Sequence, residues 1–97
     1  MNQSIISAIK NMNLLEFHYD GEYRIVEPHT YGISTKGNEV IRAYQVSGGS
    51  VSDKPLGWKM YKVEEIFNLK ICEDTFKAPR PGYKKGDSAM TTIIIEL

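Results

Sequence analysis

The chain has 97 residues, 41% hydrophobic and 25% charged, a length and balance that suit one folded domain and exclude a disordered segment. Twelve basic residues offset twelve acidic ones, so no net field draws the whole molecule onto DNA or an anionic membrane. The single Cys72 excludes an intramolecular disulfide, and its setting, IFNLKICEDTF, points to a core thiol in a strand rather than a reactive one.

The first residues, MNQSIISAIKN, lack a basic segment followed by an unbroken apolar run, and no stretch approaches the roughly 20 apolar residues that span a bilayer. The expectation is a cytoplasmic protein with no membrane partner. Ile5, Ala8, Ile9 and Met12 recur at three- and four-residue intervals, which predicts a helix over 3–13 lying across one mouth or face of a sheet. Leu15, Phe17 and Tyr19 then alternate with Glu16 and His18, the period of a half-buried strand. Asp20-Gly21 marks a tight hairpin, because glycine tolerates positive φ.

The next strand carries Tyr23 and Ile25, and Pro28, lacking an N–H, predicts an edge, a bend or a bulge there. It resumes as Thr30-Tyr31-Gly32-Ile33 and stops at the turn Lys36-Gly37-Asn38. A third strand covers 39–46, followed by a Gly-, Ser- and Pro-rich loop over 47–56 of the kind that is functional or mobile. A fourth strand covers 57–63, and a fifth covers 66–71 with Phe67, Leu69 and Ile71 on one face. The two prolines of KAPRPGYKK hold 77–85 extended, and TTIIIEL closes the sheet as a sixth strand over 91–97. The fold class is mainly β (α+β). The expected architecture is one domain over 1–97, a small strongly bent antiparallel sheet or partly open barrel of five to six strands with one N-terminal helix.

The strand period also sorts the candidate site residues. In EVIRAYQV, Ile41 and Ala43 share a face with Glu39 and Gln45, while Val40, Arg42, Tyr44 and Val46 share the other. Arg42 therefore stands among apolar groups and needs a carboxylate, a carbonyl or a bound anion; a structural pair with Glu27 or another acid is the alternative. In GWKMYK, Trp58 faces with Met60 and Lys62, and Lys59 with Tyr61 and Val63. Trp58 suits stacking on a base, or else covering a core or barrel mouth. Lys59 and Lys62 are solvated lysines unless they converge with Arg24 or Arg42. Lys77, Arg80, Lys84 and Lys85, with Tyr83, form a basic arm that suits a phosphate backbone, or else a plain linker.

His18 and His29 lie on neighbouring strands, but no spacing around them matches a metal site. His29 is a candidate anion contact or a hydrogen-bonded structural histidine. No nucleophile motif, phosphate loop or paired carboxylates stand out, and Glu64 and Glu65 would point to opposite faces of a strand. Neither enzyme activity nor a cofactor is expected.

The succession SIISAIKNM, LLEFHYDGEYR, RIVEP, GNEVIRAYQ and MYKVEEIFNL up to EDTF resembles the WYL domain, a small Sm-like or SH3-like barrel of bacterial regulators, over roughly Ile5 to Phe76. Where that family carries a Trp-Tyr-Leu triplet, Glu39-Val40-Ile41 stands here, followed by Arg42, Ala43 and Tyr44. The family's late strand, aromatic-Arg-Leu-Asp-Arg-Ile, corresponds to Tyr61-Lys62-Val63-Glu64-Glu65-Ile66, with lysine for the first arginine and glutamate for the second. The resemblance implies a stand-alone ligand-sensing module for nucleotides or nucleic acid, with Arg24 and Lys62 as the residues carried over. Strand geometry adds Arg42, Tyr44, Trp58 and Lys59 to the ligand surface, with Arg80, Lys84 and Lys85 as a nucleic-acid arm. The alternative is a protein-interaction or homo-oligomerisation module without a small ligand.

Overall fold

The amino-terminal stripe folds as helix α1, Gln3–Asn11. Its start is capped by the Asn2 side-chain oxygen, which accepts the Ile5 N–H at 3.1 Å. Its end comes two residues earlier than the periodicity predicts, because Met12 turns left-handed at φ 55° and gives its N–H to Ala8 and Ile9 carbonyls. Ile5, Ala8 and Ile9 are the buried face. The computed structural model describes residues 1–50 and 56–97, so part of the loop predicted over 47–56 lies outside the described residues.

Six strands follow: β1 (Asn13–Tyr19), β2 (Glu22–Ser34), β3 (Glu39–Gly48), β4 (Gly57–Lys62), β5 (Phe67–Thr75) and β6 (Met90–Glu96). All pairings are antiparallel, in the order β4-β3-β2-β1-β5, with β6 also on β2. The thirteen residues of β2 organise this sheet. Its first half pairs β1 through Val26, its second half pairs β6 from Thr30, and β3 runs along its other edge. Pro28 sits at the changeover, beside a register shift between Pro28 and Thr30, so of the edge, bend or bulge expected there the strand takes the bulge. Gly32 lets β6 lie close, since a Cβ there would meet the Thr92 carbonyl oxygen at 2.1 Å.

The sheet curls on itself. β4 and β1 stand three places apart, about 14 Å in a flat sheet, yet the Tyr61 ring lies 5.0 Å from those of both Phe17 and Tyr19. The Lys62 N–H also donates to the Tyr19 hydroxyl across this gap at 3.0 Å. Inside the curl, Leu15, Phe17, Val26, Tyr31, Ile41, Ala43 and Tyr61 form one core with α1 packed on it. The curl stays open: no ladder joins β4 to β5 among the described residues.

Three expectations are corrected here. The chain crosses from β4 to β5 by a 3₁₀ turn, Val63–Glu65, closed by the Ile66 N–H on the Val63 carbonyl, so Glu64 and Glu65 do not alternate across a strand. Phe67 does not share the inward face of Leu69 and Ile71: Asn68 is left-handed at φ 56° and flips it outward. Cys72 is half-buried near Glu16 rather than in the core, its Sγ 3.8 Å from that carboxylate. Among the described residues, no helix is long and apolar enough to cross a membrane.

Candidate functional site

The segment between β5 and β6 carries PRPGYKK, and it is clasped to the sheet rather than hanging from it. The clasp is built around His29, fully buried on β2. Its Nδ1 lies 2.8 Å from the Glu27 carbonyl, which only accepts, so Nδ1 bears the proton and Nε2 accepts the Arg80 N–H at 3.1 Å. The ring is packed by Trp58, Phe76 and Tyr83 at centroid distances of 4.7, 5.3 and 5.2 Å. Burial holds its pKa below the usual histidine value, with Arg80 pushing the same way and Glu27 opposing.

Charged pairs fasten the rest. Arg80 grips the buried Glu27 with two bonds, Nε at 2.7 Å and Nη2 at 3.2 Å, while its guanidinium lies over the Tyr44 ring at 4.6 Å. Arg42 donates to Asp87 through Nε at 2.7 Å and Nη2 at 3.4 Å. That bond, with the Ala89 N–H, holds the Asp87 carboxyl below the usual range against the opposing effect of burial. Trp58 Nε1 donates to the Pro81 carbonyl at 3.0 Å, and the Tyr83 hydroxyl donates to the Leu97 carbonyl at 2.9 Å. Gly82, at φ 92°, lets the backbone pass so near Trp58 that a Cβ would be 3.1 Å from the indole nitrogen.

Between this segment and the sheet runs an open cleft of about 560 Å³ lined by Arg42, Trp58, Tyr83, Lys84, Lys85 and Asp87. It has an aromatic wall, where Trp58 and Tyr83 lie nearly parallel at 6.4 Å, and a cationic rim of exposed Lys84 and Lys85.

The residues expected to form one cationic-aromatic surface divide into separate places. Arg42, Trp58, Lys84 and Lys85 meet in the cleft, and Tyr44 stands beside it, its ring edge-on to Trp58 and beneath Arg80. Arg80 is held by Glu27 and does not line the cleft. Arg24 and Lys59 belong to the inner mouth of the curl. Arg24 is 2% exposed, donating to the Tyr19 carbonyl at 3.1 Å and to Gln45 at 3.5 Å, with its guanidinium over the Tyr19 and Tyr61 rings. Among the described residues its Nε has no partner, and Asp20 stands 3.9 Å away. Burial and the Arg24 charge lower the Lys59 pKa, and burial pushes Tyr61 up to about 12. Lys62 lies by the 3₁₀ turn, 3.8 Å from Glu65.

Sequence reasoning named Glu27 or another acid for Arg42. The acid is Asp87, and Glu27 takes Arg80 instead. Tyr83 and Asp87 were not singled out as lining residues. The turn signals Pro81-Gly82 and Gly86-Asp87 flank them and mark where the segment folds back. Among the described residues, no three of His, Cys, Asp and Glu stand close enough to hold a metal ion.

No protein-family model matches the chain, and neither a curated protein nor a solved structure matches it.

Proposed function

We propose that the chain is a regulatory or sensory binding module that takes a nucleotide, or a short single-stranded nucleic acid, in the cleft under the clasped segment. The observation that carries this reading is the meeting of an aromatic wall, Trp58 and Tyr83, with Arg42, Lys84 and Lys85 around one open cleft. Lys84 and Lys85 would neutralise phosphate at the rim. Arg42 uses Nε and Nη2 on Asp87, which leaves Nη1 to turn toward a ligand oxygen. A base against the half-exposed face of Trp58 would contribute about 1–3 kcal/mol by stacking. The zero net charge fits a local site better than general nucleic-acid binding, since no broad field gathers polyanions. The order of segments that resembles WYL sensing modules supports the same reading, in a cytoplasmic setting.

The test is a titration of adenosine monophosphate and of a short oligothymidylate, followed by fluorescence of Trp58, the single tryptophan. A saturable change should weaken with salt, and Lys84→Ala should lower the log–log salt slope by about 1. A flat response with both ligands, confirmed by calorimetry, rejects the cleft as a phosphate-ligand site.

A further inference from the structure

A second surface lies away from the cleft, on the outer face of β1, β2 and β5. Strict alternation along β5 would turn Phe67 inward with Leu69 and Ile71. The left-handed Asn68, together with a slip in the β1 ladder between Glu16 and His18, brings Phe67 opposite His18 instead. On its other side His18 is paired with Tyr23 of β2. Three rings therefore stand abreast across three strands: Tyr23 is 42% exposed, Phe67 is 66% exposed and His18 is also exposed. The His18 and Tyr23 rings are 5.5 Å apart.

A bulge that re-aims one large apolar side chain into water, in line with two other rings, is how a sheet presents a contact surface. The backbone cost at Asn68 is small, because asparagine accepts the left-handed region better than other residues with a side chain. Phe67, however, gives up the burial available to Leu69 and Ile71.

The charge on this face selects the occupant. Glu16 accepts the Tyr23 hydroxyl at 2.8 Å and is paired across the ladder with Lys70. The Tyr23 phenol is pushed up first by its bond to Glu16. The Cys72 thiol is pushed up first by burial, then by Glu16 and Asp74, with only Lys70 opposing. Around Cys72 the two carboxylates of Glu16 and Asp74 face the single ammonium of Lys70, a surplus of negative charge that favours a cation over the ring faces.

We infer that this face docks a cationic segment of a partner protein, with an arginine or lysine laid over the Phe67 and Tyr23 rings and its charge turned toward Glu16. The long apolar stem of such a side chain covers the rings while its head stays near the carboxylate. This surface is separate from the cleft, and neither reading depends on the other.

The experiment is an NMR titration of the full chain with a short alternating glycine–arginine peptide, and with the matching glycine–glutamate peptide. The expected result is a saturable shift of His18, Tyr23 and Phe67 signals with the arginine peptide alone. Phe67→Ala and, separately, Glu16→Gln should each weaken it about three- to ten-fold. Both side chains lie outside the core, and unchanged Trp58 signals will show that the fold is kept. Four outcomes overturn the inference: no shift at about 1 mM peptide, an equal response to the glutamate peptide, shifts unaffected by both substitutions, or the same signals moving with a short oligonucleotide.

Discussion

Two regions of this molecule hold their arginines in opposite ways. Under the clasped segment each arginine meets a carboxylate with two bonds, Arg80 on Glu27 and Arg42 on Asp87. At the inner mouth Arg24 is almost fully buried, yet its carboxylate stands at 3.9 Å and its Nε has no partner among the described residues. The difference separates a part that can trade partners from a part that serves as filling. Arg42 keeps 30% of its side chain in contact with solvent and can share its charge with an arriving anion. Arg24 is fixed by tyrosine rings and a carbonyl, a setting in which an apolar side chain of similar length can replace a buried charge at little cost.

The sharpest way to break the clasp is His29→Ala. It empties a fully buried position and orphans the Arg80 N–H, so urea unfolding should show a loss of about 3 kcal/mol. Glu27→Gln, which leaves Arg80 without its anion at a partly exposed pair, should cost about 1–2 kcal/mol. Faster hydrogen exchange at Gly82 and Tyr83 should accompany it. At the mouth, Arg24→Met keeps the stem and discards the unpartnered nitrogen. Its unfolding free energy should stay within about 1 kcal/mol of the parent, and a much larger loss would show that the charge itself matters there.

Acidification divides the clasp itself. The His29 pKa is depressed in the folded chain, so the unfolded chain binds that proton more tightly. Its contribution is complete above about 6.5, the ordinary histidine value, and falls as pH drops from there toward the folded pKa. Asp87, also depressed, retains its contribution until well below that window. Exchange at Arg80 should therefore accelerate in mild acid while the Arg42–Asp87 pair persists. A pH-independent exchange rate, corrected for intrinsic chemistry, would contradict this.

Where local signals act alone, the sequence is easy to read. Asp20-Gly21 makes its hairpin, Pro28 its bulge, and the apolar intervals of 5–9 their helix. Legibility fails where one residue resets the period or where partners are remote. Asn68 turns Phe67 over, and a polar residue inside an apolar strand does not announce its φ. Arg42 and Asp87 lie 45 residues apart, and Arg80 and Glu27 lie 53 apart. Periodicity told that Arg42 needed an acid, but only the path of the segment over the sheet decides which one. Of the six expected ligand residues, Arg24 and Lys62 rest on the resemblance and the others on their strand positions. They part company because the curl places Lys59 and Arg24 inside while Arg42 and Trp58 remain outside.

The most direct test of the cleft is the indole N–H signal of Trp58, which reports both its bond to Pro81 and the face a base would cover. Titration with adenosine monophosphate should move that signal saturably, with Lys84→Ala weakening the effect and Phe67→Ala leaving it unchanged. An indole signal that stays fixed while any binding registers at Arg24 and Lys59 would contradict the account and transfer the site to the inner mouth.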